Sequence, residues 1–188
     1  NLNSWNTSAV TNMESSFQRA TVFNGDISTW DTANVTTTGA MFNAATAFNQ
    51  NIGLWNVSNV TNMEWMFQGA RVFNNDLSLW DVSNVTNMSY MFADARLFNE
   101  NISGWNTSSV TSMDHMFWDA HEFNQVIGTW DVSHVTSFAS MFRKALAFNQ
   151  AISSWVTSSV TSFNRMFQGA TVFNQDLNSW DTSAVTDM

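Results

Sequence analysis

Apolar residues recur along this chain with a period of 25 residues, and two spacings alternate within each period. The first is short and strand-like: Leu77, Trp80 and Val82, or Ile102, Trp105 and Thr107. Trp and the following Val or Thr alternate, so Asp81 or Asn106 between them faces the other way. The second advances in steps of three: Val85, Met88, Met91, Phe92, Ala95 and Phe98. That is helical spacing, α or 3₁₀, with one apolar face. The pattern therefore predicts one strand of about four residues and one short helical segment per unit. Strands stacked once per unit would pair into a parallel sheet at about 4.8 Å spacing, giving an α/β solenoid on the order of 35 Å long.

The phase never slips. Trp5, Trp30, Trp55, Trp80, Trp105, Trp130, Trp155 and Trp180 mark units at 1–25, 26–50, 51–75, 76–100, 101–125, 126–150, 151–175 and a partial 176–188. A fixed period in this range means that each unit buries its apolar side only against its neighbours, so the chain is expected to be one array without an internal boundary. Asp81 or Ser83 can cap the helical segment by accepting from free N–H groups of its first turn. The Phe-Asn pair, as in Phe98-Asn99, either turns the chain through local side-chain hydrogen bonds or forms an inward Asn ladder. Neither terminal unit has a polar outer face, so the array is expected to be uncapped and part of a longer one.

The run from Trp80 to Asn99, WDVSNVTNMSYMFADARLFN, repeated head to tail, resembles the short repeat of BspA-like leucine-rich-repeat surface proteins. The frame VT-x-M-x-x-M-F-x-x-A-x-x-F-N covers the whole chain, with Ser16, Thr38, Phe138, Phe163 and Val156 as departures. The resemblance implies a leucine-rich-repeat-like array that is extracellular or on the cell surface, non-enzymatic, and used for adhesion or for binding proteins. It implies no catalytic or metal residues.

Composition narrows the partners. Only 11% of residues are charged, against roughly 25% in an average soluble domain, so the surface is built from Ser, Thr, Asn and Gln. The net charge is −9 and the six Lys and Arg are scattered, which leaves no basic stripe for a nucleic acid. Cys is absent, so neither disulfides nor thiolate metal sites exist. No apolar run approaches the roughly 20 residues of a membrane span. His115, His121 and His134 lack metal-ligand spacing and read as surface residues. No insertion interrupts the repeat to build a catalytic pocket, so no enzyme activity and no cofactor is expected.

Three columns could meet a ligand. Trp65, Tyr90 and His115 occupy one place in consecutive units, opposite the apolar face, with Trp118 on the same arc. They form either a contact patch or rings folded back onto the surface. Asn6, Asp31, Asn56, Asp81, Asn106, Asp131 and Asp181 form a ladder expected on the strand face. Interleaving Asn between Asp halves the density of stacked carboxylates, the opposite of what a calcium site requires. An unvarying Thr column, Thr11 to Thr186, suits either a cap or turn position or an ordered, ice-binding face. The residues thus favour a structural or adhesion array that contacts proteins or glycans, with homotypic assembly as one form. A regular surface for ice or calcium is the alternative.

Overall fold

A computed structural model describes residues 2–188; Asn1, where the first unit begins, lies outside the described residues. Among these the only helix is one 3₁₀ turn, Leu2–Ser4. No strand forms. Single-residue parallel bridges instead link one place in successive units: Asn12 to Thr37, Thr37 to Asn62, Asn62 to Asn87, Asn87 to Ser112, Ser137 to Ser162 and Ser162 to Asp187. The expected α/β solenoid, with a leucine-rich-repeat-like sheet and a helical segment in each unit, is therefore corrected. The chain is a stack of coils built from turns.

The helical spacing has a different origin. Between Met88 and Phe98 the chain closes four successive four-residue turns: Met91 N–H to Met88 O at 3.2 Å, Ala93 to Tyr90 at 3.1 Å, Ala95 to Phe92 at 3.1 Å and Phe98 to Ala95 at 3.1 Å. Such turns bring every third or fourth side chain to the same side, which is the periodicity of a helix. The intervening N–H groups leave the coil altogether. Tyr90 donates to Asp114 O at 2.9 Å, Phe92 to Met116 O at 3.0 Å and Asp94 to Trp118 O at 2.6 Å, all in the next coil. A helix would need these same donors for its own carbonyls four residues back.

Aiming alternate amides outward requires left-handed backbone at two places per coil, seen as φ of 59° at Tyr90 and 53° at Asp94. Twelve non-glycine residues adopt it, and Gly69 and Gly169 fill the second place in two coils. Each side chain there costs about 1–2 kcal/mol. The coil-to-coil hydrogen bonds, which would otherwise be buried unpaired groups, offset that cost.

The segment expected as a strand is also a pair of turns. Trp80 N–H closes onto Leu77 O at 3.1 Å and Val85 onto Val82 O at 2.9 Å. Asp81 Oδ1 accepts from the Ser83 N–H at 3.1 Å and makes the corner between them. Trp80 and Val82 are buried as the alternation requires, but across a corner and not along a strand.

The interior consists of side-chain columns that run along the stack. Trp105 lies on Trp130 with ring centroids 6.3 Å apart and 4° between planes. Phe92 stacks on Phe98 of its own coil at 3.9 Å and on Phe67 and Phe117 of the neighbouring coils at 5.5 and 5.8 Å. Each interior Trp also donates its indole N–H to a backbone carbonyl of the preceding coil, as Trp105 does to Leu77 O at 3.1 Å. The polar columns work outside the core. Asn74 Oδ1 accepts from Asn99 N–H and Asn99 Oδ1 from Asn124 N–H, each at 2.9 Å. The Asn ladder thus joins coils at the surface and does not point inward. At the two ends the columns lack a neighbour: Trp5 is 60% exposed, and Phe167 and Trp180 border a hollow of about 390 Å³.

Candidate functional site

The turn that buries two Met residues throws the side chain between them outward. In the turns Met63–Met66, Met88–Met91 and Met113–Met116, the third residue is Trp65, Tyr90 and His115, with φ of 58°, 59° and 58°. Because each donates its amide to the next coil, the three stand in register. Trp65 meets Tyr90 at 5.8 Å with planes tilted by 58°, and Tyr90 stacks on His115 at 4.3 Å and 8°. Trp118 meets the His115 ring edge-on at 6.0 Å, and the Arg143 guanidinium lies 5.9 Å from the Trp118 centroid. All four residues singled out from the sequence join in one continuous strip. Trp65 is its most exposed member at 42%, while Tyr90, His115 and Trp118 are half-buried among their neighbours.

The strip has a defined charge state. Burial lowers the His115 pKa below the ordinary histidine value, and Arg143 adds to the effect while Asp114 opposes it. The ring is therefore neutral at neutral pH and packs as an aromatic. Burial raises the Tyr90 pKa, reinforced by the carboxylates of Asp114 and Glu64, so its hydroxyl keeps its proton. Within this cluster His115 Nδ1, Trp118 Nε1 and Arg143 Nε are buried without a hydrogen-bond partner. Leaving such atoms unpaired costs about 1–3 kcal/mol each, a penalty that an incoming acceptor can relieve once side chains adjust.

The Asp and Asn column is exposed along the stack, but its side chains do not bond to one another. Asn6, Asn56, Asn106, Asp31, Asp81, Asp131 and Asp181 each accept from the backbone N–H two residues on, making the same corner in every coil but the seventh, where Val156 stands. They are turn formers, and their expected placement on a strand face is corrected with the strand itself. Hydrogen bonds from the Ser83 and Ser133 hydroxyls, followed by their amides, hold Asp81 and Asp131 below the ordinary carboxylate value; for Asp181 the Ser183 amide is the larger cause.

A carboxylate whose pKa is depressed by folding stabilises the fold above its unfolded value, and that contribution is lost as pH falls through the folded one. The melting temperature is accordingly expected to hold down to about pH 4 and to drop below it. Changing Asp81 and Asp131 together to Asn keeps the corner, as native Asn56 and Asn106 do, and should flatten this acid limb. An unchanged profile in that variant would remove the corner carboxylates as its cause.

The Thr column is exposed, and the hydroxyl protons of Thr36, Thr61, Thr86, Thr111, Thr161 and Thr186 are already committed. Thr86 Oγ1 donates to Thr61 O at 3.2 Å and Thr111 Oγ1 to Thr86 O at 3.2 Å, beside amide bonds between the same residues. Among the described residues no group of three or more His, Cys, Asp or Glu is placed to hold a metal ion. Among the same residues no helix is long and apolar enough to cross a membrane.

Charged residues missed by the sequence reading flank the strip. Arg71 Nε contacts Asp94 Oδ2 at 2.8 Å and Arg96 Nε contacts Asp94 Oδ1 at 2.7 Å; Arg96 Nη2 reaches Asp119 Oδ2 at 3.3 Å, and His121 Nε2 lies 3.2 Å from Asp119 Oδ1. The ion pairs of Arg71, Asp94, Arg96 and Asp119 cross three coils. Its signal was present in the repeat, since Asp94 and Asp119 share one place in their units and Arg71, Arg96 and His121 another.

Two stretches, 1–105 and 97–188, match the family described as Mycoplasma protein of unknown function, DUF285. The chain belongs to this family. The two matches overlap across the junction of the fourth and fifth units and together span the repeat from end to end. DUF285 is thus a tandem-repeat family in this chain, and that is the coarser form of the surface-repeat resemblance. No curated protein matches the chain, and no solved structure does.

Proposed function

We propose that this DUF285 chain is a non-enzymatic binding module displayed at a cell surface, and that the strip from Trp65 to Trp118 contacts a protein partner. The carrying observation is the strip itself. The repeat would tolerate small polar residues at these places, as Ser15 and Ser140 show, yet three consecutive coils place rings there with unpaired nitrogens among them. Aromatic residues and Arg clustered in one patch are the commonest energetic anchors of protein interfaces. Display at the surface is supported by the resemblance of the repeat frame to BspA-like surface proteins.

The geometry favours protein over glycan. Sugar rings stack on open aromatic faces, whereas the faces of Tyr90 and His115 are turned against each other at 4.3 Å and present their edges. The net charge of −9 favours a basic partner. A random dodecapeptide display library selected on the intact chain tests this reading. Selected peptides are expected to lose more than about tenfold in affinity when Trp65 and Tyr90 are both changed to Ser, while stability changes by only about 0.5–1 kcal/mol because the strip lies outside the core. Peptides that bind the double variant equally well, or a glycan array that binds where peptides do not, would count against it.

A further inference from the structure

The strip ends abruptly on its N-terminal side. Where the third coil carries Trp65, the first two carry Ser15 and Ala40, and this step leaves an open notch of about 100 Å³. Gly39, Ala40, Trp65, Glu14, Glu64 and Gln18 are among the residues that line it. In the next two coils the same place carries a ring, Tyr90 at 5.8 Å from Trp65 and His115 at 4.3 Å from Tyr90.

We infer that this notch holds the cationic head of an arginine or lysine side chain presented by the protein partner, an inference that rests on the strip being the contact surface. Indole is the strongest aromatic partner for a cation, and Trp65 borders the notch while 42% exposed. Glu64 is held in place, since its Oε2 accepts from Asn87 Nδ2 at 3.2 Å. Glu14 stands exposed across the notch, its amide tied to Asn12 Oδ1 at 2.7 Å, so a second carboxylate faces solvent there. Two carboxylates beside an aromatic face repel phosphates and other anions and attract a cation.

The test uses the intact chain with N-acetyl-arginine N-methylamide, its lysine counterpart and the neutral citrulline counterpart as probes, read by NMR at the Trp65 indole N–H. That signal is assigned by its loss in Trp65→Phe. Arginine and lysine probes are expected to shift it saturably in the millimolar range, with citrulline at least about tenfold weaker. Glu14→Gln with Glu64→Gln should weaken arginine by about fivefold or more. Ala40→Tyr should abolish binding, because a ring at that place fills the notch. Citrulline binding as well as arginine, or full binding in the Gln variant, would overturn the inference even if Ala40→Tyr failed to fold. Peptides selected on the native chain separate the two levels of the account. Loss in the Trp65, Tyr90 variant with no loss in the Gln variant refutes the notch and leaves the strip; no loss in either refutes both.

Discussion

Replacing Trp105 with Ala is expected to destabilise the chain by about 3–5 kcal/mol, the range for emptying a large aromatic site in a packed interior. Trp105 is 4% exposed and touches both Trp130 and Phe92 with centroids 6.3 Å away. Its removal also takes the indole donor at 3.1 Å from the Leu77 carbonyl, which keeps only its bond from the Trp80 N–H. Two variants separate these contributions. Trp105→Phe keeps most of the volume and loses the hydrogen bond, so it should cost about 1–3 kcal/mol. Trp5→Ala, at a place already 60% exposed, should cost under about 1 kcal/mol. Chemical denaturation gives all three values, and equal losses at Trp5 and Trp105 would mean that the Trp column is not the core.

The second large effect concerns register. Deleting the whole unit 76–100 is expected to leave a folded, shorter stack, because Asn75 then meets Asn101 as it met Asp76 and every coil-to-coil partner is restored one unit along. Deleting only residues 76–87 is expected to abolish folding of the stack beyond the third coil. The bonds from Trp65 to Ser89 and from Asn99 to Asn74 depend on a constant separation, and twelve lost residues place core Phe98 opposite exposed Thr61 and core Met88 opposite exposed Asn51. Near-ultraviolet circular dichroism, which reports the stacked rings, should be retained in the first variant and lost over most of its amplitude in the second. Equal spectra would rule out the register described here.

The period, the buried columns and the outer strip were legible in the sequence because they depend only on which residues recur at a fixed interval. Met88, Met91, Phe92, Ala95 and Phe98 all reach the core, as the apolar spacing requires. What the spacing could not reveal was the hydrogen-bond partner. Turns in series and a short helix give the same three-residue rhythm, and only the destination of the Tyr90 and Asp94 amides distinguishes them. Left-handed backbone usually announces itself through Gly or Asn, but here only Gly69 and Gly169 do so, and Trp, Tyr, His, Asp, Arg, Lys, Ser and Ala occupy the other places. The Leu77-x-x-Trp80 pattern was likewise ambiguous, and the corner at Asp81 decided it. In the candidate site the rings stood out by composition. The notch beside Trp65 did not, because it is made by the smallness of Gly39 and Ala40 in another unit.

The most direct test of the turn-built coil is the scalar coupling that passes through a hydrogen bond from an amide nitrogen to the carbonyl carbon that accepts it. A coupling is expected from Tyr90 N to Asp114 C′, across the 2.9 Å bond to the next coil, and from Phe92 N to Met116 C′ across 3.0 Å. A coupling from Tyr90 N to Thr86 C′, four residues back along the chain, would show a helix at this place and contradict both the fold and the strip built on it.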